Sequence, residues 1–300
     1  MFTKKSTTLS FEGNIIRCLT VKGDQVEAWD QLTLPPKHMS QGLIHSPNGV
    51  SKHLGRVLEK TEANRRHVVT GVTDQRSVHR LLTLPKIDEK LLDETIRRKS
   101  KQEFALPIDE VDIFWQIIGR NDKQLRIYVL AVPKQIIDHL VQTLQQVRIK
   151  PQVMSAKPLA LMRAVGRQNS IIINLESFSM AVIIVVDGVP VIVRTVPLES
   201  GDLTREAKLD LLGQELNRTT KFYNESNKQN RLPEDTPLFP TGALFTSLSP
   251  EDRLEDNIPL VGRLQTRTSY PIFNLKPHVA APAALSLPEF AVNLGLATKL

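Results

Sequence analysis

The stretch TTLSFEGNIIRCLTVKGDQVEAWDQLTL, residues 7–34, decides the fold. Gly13-Asn14 and Gly23-Asp24 divide it into three short segments, 7–13, 14–23 and 24–34, rich in β-branched and apolar residues. Such dipeptides between alternating runs are hairpin signals, so the stretch predicts three consecutive antiparallel strands. A helix over 49–64 follows, with Val50, Leu54, Val57 and Leu58 at helical spacing, and then a strand over 66–72 centred on His67-Val68-Val69-Thr70. The order is β-β-β-α-β. The same opening returns as SIIINLESFSMAVIIVVDGVPVIVRTVP, residues 170–197, with its own Asp187-Gly188 turn and a helix over 209–223. Two such openings in 300 residues predict two lobes.

Between the repeats lies a segment of different character. Pro85 breaks the chain after Leu81-Leu82-Thr83-Leu84, and Asp88 stands at a helix N-cap position ahead of Leu91, Leu92, Ile96 and Phe104. Acidic residues fill the first half of that helix and basic residues the second, which complements the helix dipole and allows Asp93–Arg97 and Glu94–Arg98 pairs. Strands over 111–118 and 125–132 and an amphipathic helix over 133–147 complete a helix-strand-strand-helix insert spanning 85–155. A short helix is expected over 157–166, the Pro-rich stretch 231–240 reads as irregular, and a last short helix is expected over 289–300. The domain reading is a first lobe of 1–84, completed by 156–169 and the C-terminal helix 287–300, the insert, and a shortened second lobe of 170–286.

Composition bounds the function. The content is 41% apolar and 24% charged, ordinary for a packed α/β protein. One cysteine, Cys18, excludes an internal disulfide and a multi-thiolate metal site and fits a reducing compartment; it reads as a buried strand residue. The run Met180 to Val186 is far short of the ~20 residues that cross a bilayer. Residues 6–14 supply no secretory signal core, so a cytoplasmic protein is expected. The seven histidines form no metal-binding pattern, no Gly-x-Ser-x-Gly turn is present, and Trp29 and Trp115 read as packing residues in strands. Net charge is +7, and residues 52–101 hold thirteen Lys/Arg against seven Asp/Glu, an excess of six. That stretch lacks interleaved aromatics and DNA-binding motifs, and reads first as a solvated basic face.

Two lobes that each open with a three-stranded meander resemble the actin-like (ribonuclease H-like) fold. Several strings resemble one family more closely: Leu84-Pro85-Lys86 through Pro107-Ile108-Asp109-Glu110-Val111 to Trp115-Gln116, Val132-Pro133-Lys134, Lys157-Pro158-Leu159-Ala160-Leu161-Met162-Arg163-Ala164, Asp187-Gly188-Val189-Pro190 with Arg194, and Asn293-Leu294-Gly295-Leu296-Ala297. In this order they are similar to the PilM family of type IV pilus assembly proteins. The resemblance implies that 85–155 is the subdomain shared with the cell-division protein FtsA. It also implies that the groove between this insert and the first lobe receives the cytoplasmic N-terminal tail of a PilN-like membrane protein. The pilus motor ATPase is a further candidate partner. The protein would then sit at the inner face of the membrane through its partners.

The same resemblance locates a nucleotide cleft and puts it in doubt. Nucleotide-binding relatives carry two turns of the Asp-Ile-Gly type, whose small residues let backbone amides approach phosphates. Here Leu9-Ser10-Phe11-Glu12-Gly13-Asn14 has Ser10 at the first Asp position, and Asn174-Leu175-Glu176-Ser177-Phe178-Ser179 has Asn174 and Glu176 for the acid and the glycine. Replacing a carboxylate by an amide removes the ligand a Mg²⁺ ion prefers, and Glu12 and Glu176 bring negative charge toward phosphates. The third element is reduced to Pro240-Thr241-Gly242-Ala243, and the segment between Gly201 and Leu209 is short for the family's second lobe. The expectation is a protein-binding scaffold and pseudo-ATPase with no catalytic residue, metal or cofactor. Two alternatives stay open. One is a divergent ATP binder using Gly13, Asn14, Asn174 and Gly242; the other is a nucleic-acid binder using the basic residues 52–101.

Overall fold

The computed structural model describes residues 4–104, 107–198, 203–245 and 260–298. The chain opens with β1 (Lys5–Glu12), β2 (Ile15–Lys22) and β3 (Gln25–Thr33). A short strap, β4 (Met39–Ser40) and β5 (Leu43–Ile44), leads to α1 (Pro47–Lys60) and β6 (Val68–Val72). Then come β7 (Val78–Pro85), α2 (Leu92–Glu103), β8 (Val111–Arg120), β9 (Gln124–Pro133), α3 (Lys134–Gln146), β10 (Val153–Ala156) and α4 (Lys157–Val165). The second meander is β11 (Ser170–Leu175), β12 (Ser179–Val186) and β13 (Val189–Pro197), followed by α5 (Arg205–Ser226), β14 (Leu238–Thr241), α6 (Leu260–Gln265) and α7 (Ala291–Ala297).

The repeat visible in sequence is a repeat in space. The first sheet runs β10-β6-β1-β2-β3 and the second β13-β12-β11-β14, so each meander is extended by a parallel strand beside its first member. Even the irregularities correspond: β2 slips register against β3 between Thr20 and Val21, and β12 slips against β13 between Ile184 and Val185, the sixth and seventh residues of each strand. A bulge at one place in both sheets gives both the same local twist. Gly13 and Gly23 turn the first meander at φ 59° and 62°, and Asp187 and Gly188 turn the second at 52° and 71°, the left-handed conformations such turns require.

The helix signals behave as their chemistry dictates. Ser46 caps α1 by accepting from Gly49 N, with Pro47 in the first turn. Asp88 accepts from Lys90 N at the start of a 3₁₀ turn that leads into α2. Asp93 pairs with Arg97 at 2.8 Å and also accepts from Trp115 Nε1 at 2.9 Å, which pins α2 to β8; the Trp115 bond, then Arg97, lowers the pKa of this carboxyl.

Three expectations need correction. The insert begins earlier than residue 85, because β7 pairs along its whole length with β9 in the sheet β7-β9-β8; Pro85 ends this edge strand rather than breaking the chain before it. The helix α3 does not belong to a separate insert core. Its Leu140 and Leu144 share one cluster with Leu9, Leu54 and Leu58 of the first lobe, whereas α2 and the odd-numbered face of β8 form their own cluster around Leu92, Ile96 and Ile113. The stretch 231–240 is not wholly irregular, since it ends in β14, whose Pro240 lies opposite Ile173 at the sheet edge. The short segment 201–209 lies partly outside the described residues, and α5 is under way by Arg205.

The last helix closes the first lobe. Its Val292 and Leu296 share a cluster with Val69 of β6 and Ala160 and Leu161 of α4, and Asn293, fully buried, donates to the carbonyls of Thr8 and Arg17 at 3.1 and 3.2 Å. Gly295 sits where α7 crosses α4: a Cβ there would stand 1.8 Å from Ala160 O. No neighbouring side chain can yield, because the obstacle is backbone. Gly295→Ala is therefore expected to cost at least about 1–3 kcal/mol of stability in urea melts, the range for overpacking, while Gly55→Ala, on an open helix face, stabilises or is neutral.

Candidate functional site

The turn between β1 and β2 and the turn between β11 and β12 face each other across the junction of the lobes. In the first, Gly13 O accepts from Gly42 N at 2.7 Å and the Asn14 side chain donates to Leu34 O at 2.9 Å. In the second, Glu176 N donates to Ser179 O, and Lys208 of α5 reaches Ser177 O at 3.0 Å. The two turns touch. A Cβ on Gly13 would lie 3.3 Å from Phe178 Cδ2, so the aromatic ring of one turn rests against the glycine of the other.

Behind the turns lie two buried ion pairs, the first of which joins the lobes. Arg17 of β2, entirely buried, holds Glu176 with both ends of its fork, Nη1 to Oε1 at 3.2 Å and Nη2 to Oε2 at 3.0 Å. Its Nε donates to Gln31 at 3.1 Å, and Glu289 stands 3.9 Å from Nη2. Lys157, the first residue of α4, reaches Glu12 at 2.6 Å, and both side chains are more than nine-tenths buried. Burial lifts the Glu12 carboxyl from its ordinary 4.5 to about 7, against the pull of Lys157. Burial opposes the charge on Arg17 and Lys157, but their carboxylate neighbours prevail and raise both pKa values, so both cations stay charged. A second tie between the lobes runs from Thr195 of β13 to Asp74 beyond β6.

The four residues read as nucleotide contacts do gather at this junction, each with a structural partner. Gly13 meets Phe178. Asn14 secures the end of β3. Asn174, buried in β11, donates to Thr241 Oγ1 at 3.1 Å while its Oδ1 has no partner. Gly242, at φ 100°, gives its amide to Pro288 O at 2.8 Å, and a Cβ there would lie 2.4 Å from Leu175 O. Ser10, at the expected Asp position, donates to Asn293 Oδ1 at 2.8 Å. A triphosphate between the turns needs free amides, free cations and space. Phe178 takes the space and the two cations are held by Glu12 and Glu176, so the residues present do not fit the group.

Sequence reading missed Arg17, Lys157, Glu289 and Asn293. One signal was available: Glu12 and Glu176 occupy matching turns of two apolar meanders, and buried carboxylates require cations. Arg17, inside Ile15-Ile16-Arg17-Cys18-Leu19, was the nearest one. Cys18 is buried as expected, beside Thr61 Oγ1 at 3.2 Å, and burial pushes its thiol up to about 12, which makes it inert at neutral pH. Among the described residues no cluster of His, Cys, Asp or Glu could hold a metal ion, and no helix is long and apolar enough to cross a membrane.

A second concave feature lies on the other side of β1. A cleft between β1, β6, the strap and α3 is lined by Phe11, Gly42, Ile44, Thr73, Ile136 and Leu140. It is a small hollow whose exposed lining is part polar and part apolar. Its α3 wall is fixed by His139 Nδ1 against Ile44 O at 2.6 Å and by Ser51 against Gln146 at 2.6 Å.

Comparison with known proteins places this geometry. A family profile described as type IV pilus assembly protein PilM matches residues 17–196. A solved PilM–PilN type IV pilus biogenesis complex superposes with a TM-score of 0.75 at 20% identity, covering 98% of each chain. The cytoplasmic domain of EpsL, an inner membrane component of the type II secretion system of Vibrio cholerae, gives 0.55 at 10% identity over 99% of this chain and 94% of that one. The ethanolamine utilization protein EutJ from Carboxydothermus hydrogenoformans gives 0.54 at 10% identity over 99% and 90%. No curated protein matches by sequence. These structures share the fold expected from the two meanders, the two-lobed actin-like one.

The ion pairs generate two predictions. Arg17→Ala leaves Glu176 buried and alone and should cost about 3–5 kcal/mol in urea melts, whereas the double variant Arg17→Met/Glu176→Met should lie much nearer the parent. Glu12 sets a pH dependence. Because its folded pKa is raised, the folded chain keeps a proton that the unfolded chain has released; the stability this adds is complete below pH 4.5 and is lost as pH rises through about 7. The melting-temperature gap between the parent and Glu12→Gln should therefore shift against the parent between pH 5 and 8, and a constant gap would contradict the assignment.

Proposed function

The chain belongs to the PilM family of type IV pilus assembly proteins, and on that footing we propose that it is a noncatalytic adaptor of a pilus-type assembly platform. In this reading it takes the cytoplasmic tail of a PilN-like membrane protein into the cleft between the first lobe and α3, and so sits at the cytoplasmic face of the membrane. The motor ATPase of such a platform is its second candidate partner. The observation that carries the noncatalytic part is the contact of Phe178 with Gly13, with Arg17 and Lys157 committed to Glu176 and Glu12.

The cleft suits an apolar side chain of a short extended segment. The half-exposed Ile136 stands at its rim, with the buried Phe11, Ile44 and Leu140 beneath. One observation favours the rival reading as a divergent ATP binder: the unpartnered Asn174 Oδ1 in the junction of the lobes.

Calorimetry with a peptide of the PilN-like tail tests the adaptor reading. Binding is expected at micromolar Kd, and Ile136→Glu, on the half-exposed wall of the cleft, should weaken it at least about tenfold without lowering the melting temperature by more than a few degrees. A folded protein that ignores the peptide would overturn it. Millimolar Mg-ATP tests the rival. Binding at a hundredth of that concentration would stabilise the fold by about 2.7 kcal/mol, so an unchanged melting curve is the expected result and a rise establishes the ATP binder.

A further inference from the structure

The structure separates the basic stretch 52–101 into two parts. Around α2 some cations are engaged, Arg97 with Asp93, Lys99 with Glu103 and Arg120 of β8 with Glu89, while Lys86, Lys90, Arg98 and Lys101 make no salt bridge among the described residues. On the first lobe only Lys60 is, with Asp30. Lys52 and Arg56 lie on the outer face of α1, one turn apart, and Arg65 and Arg66 in the loop to β6. Two cations remote in sequence join them, Arg148 and Lys150 in the turn from α3 to β10. Hydrogen bonds fix this juxtaposition. Arg65 Nη1 donates to Val147 O at 3.3 Å, Gln152 N to Val68 O at 2.8 Å, and Ser51, beside Lys52, to Gln146 at 2.6 Å.

Five of the six side chains are exposed and Arg65 is half-buried. Among the described residues none of the six makes a salt bridge, although Lys5, Lys22 and Lys60 nearby all do. The carboxylates on these elements are few. Glu62 is drawn to Lys5, Asp138 stands in the first turns of α3 away from the cluster, and Glu59 on α1 alone remains beside it. Cations without a carboxylate partner on three adjoining elements raise a positive potential over this face.

We propose that this face of α1, the α1–β6 loop and the α3–β10 turn is a contact surface for anionic phospholipid headgroups. The choice of occupant rests on the membrane-proximal placement inferred above; the charge pattern itself does not. The face complements a cytoplasmic leaflet in sign, it carries no aromatic platform of the kind single-stranded nucleic acid uses, and clusters of four to eight Lys/Arg are the usual size for lipid attraction. The cleft and the basic face share α3, the cleft on Ile136 and Leu140 and the basic face beyond its last turn. One helix would thus bear on both a membrane protein's tail and the membrane it comes from.

The test is cosedimentation of the full chain with phosphatidylcholine vesicles and with vesicles containing phosphatidylglycerol, at low and high salt. Binding should require phosphatidylglycerol, fall at least about tenfold in high salt, and fall at least about tenfold in Arg66→Gln/Arg148→Gln/Lys150→Gln, which keeps the structural Arg65 and should melt as the parent does. Equal binding to both vesicles, no binding to either, or an unaffected variant overturns the proposal. So does tight binding of duplex DNA without vesicle binding. The tail peptide, titrated into the same preparations, reports separately: loss of peptide binding with vesicle binding intact fells the adaptor reading alone, and the converse fells only the lipid surface.

Discussion

The two lobes are held in one arrangement by charge buried between them. Placing Arg17 and Glu176 out of water costs several kcal/mol per ion, and only a two-pronged contact with further hydrogen bonds offsets that cost. The structure supplies both, through the paired contacts to Glu176 and the Gln31 bond on the remaining nitrogen. Lys157 of α4 and Glu12 of β1 form a second buried pair within the first lobe. Such pairs contribute specificity of arrangement more than net stability: a shifted interface would leave a charge unpaired in the core. The contact between the lobes here is made by side chains of the chain itself.

Much follows from that constraint. With the turns in contact, Phe178 can rest on Gly13 and Thr195 can reach Asp74. The first lobe then presents a fixed outer surface, with the strap, α1 and α3 packed as one unit. Recognition of an extended tail benefits from such a wall, since a preorganised cleft avoids the ordering cost that a mobile one would incur.

The meanders were legible in the sequence because period-two apolar runs and Gly turns are local signals, and helices α1, α2 and α3 announced themselves through spacing and capping. What escaped was nonlocal. The strand β7 ends in a proline and β14 contains one, and each is tolerated only because its strand lies at a sheet edge, which no local pattern reveals. The strand β10 is four residues long and is defined by its parallel partner β6. The amphipathicity of α3 showed that it had an apolar face but not that α1 would meet it. At the candidate site, Glu12, Asn174 and Glu176 stood out in the sequence, yet the ion-pair partners were invisible, because Glu12 finds its cation 145 residues away and Glu176 finds one 159 residues away.

The central claim is that the turns at residues 12–14 and 176–179 are closed on each other without a ligand. Amide hydrogen exchange measures this directly. The account predicts slow exchange at Gly42, Glu176 and Leu198, whose amides donate to Gly13 O, Ser179 O and Phe178 O, in the ligand-free protein, unchanged by millimolar Mg-ATP. Fast exchange at these amides that slows when Mg-ATP is added would contradict it.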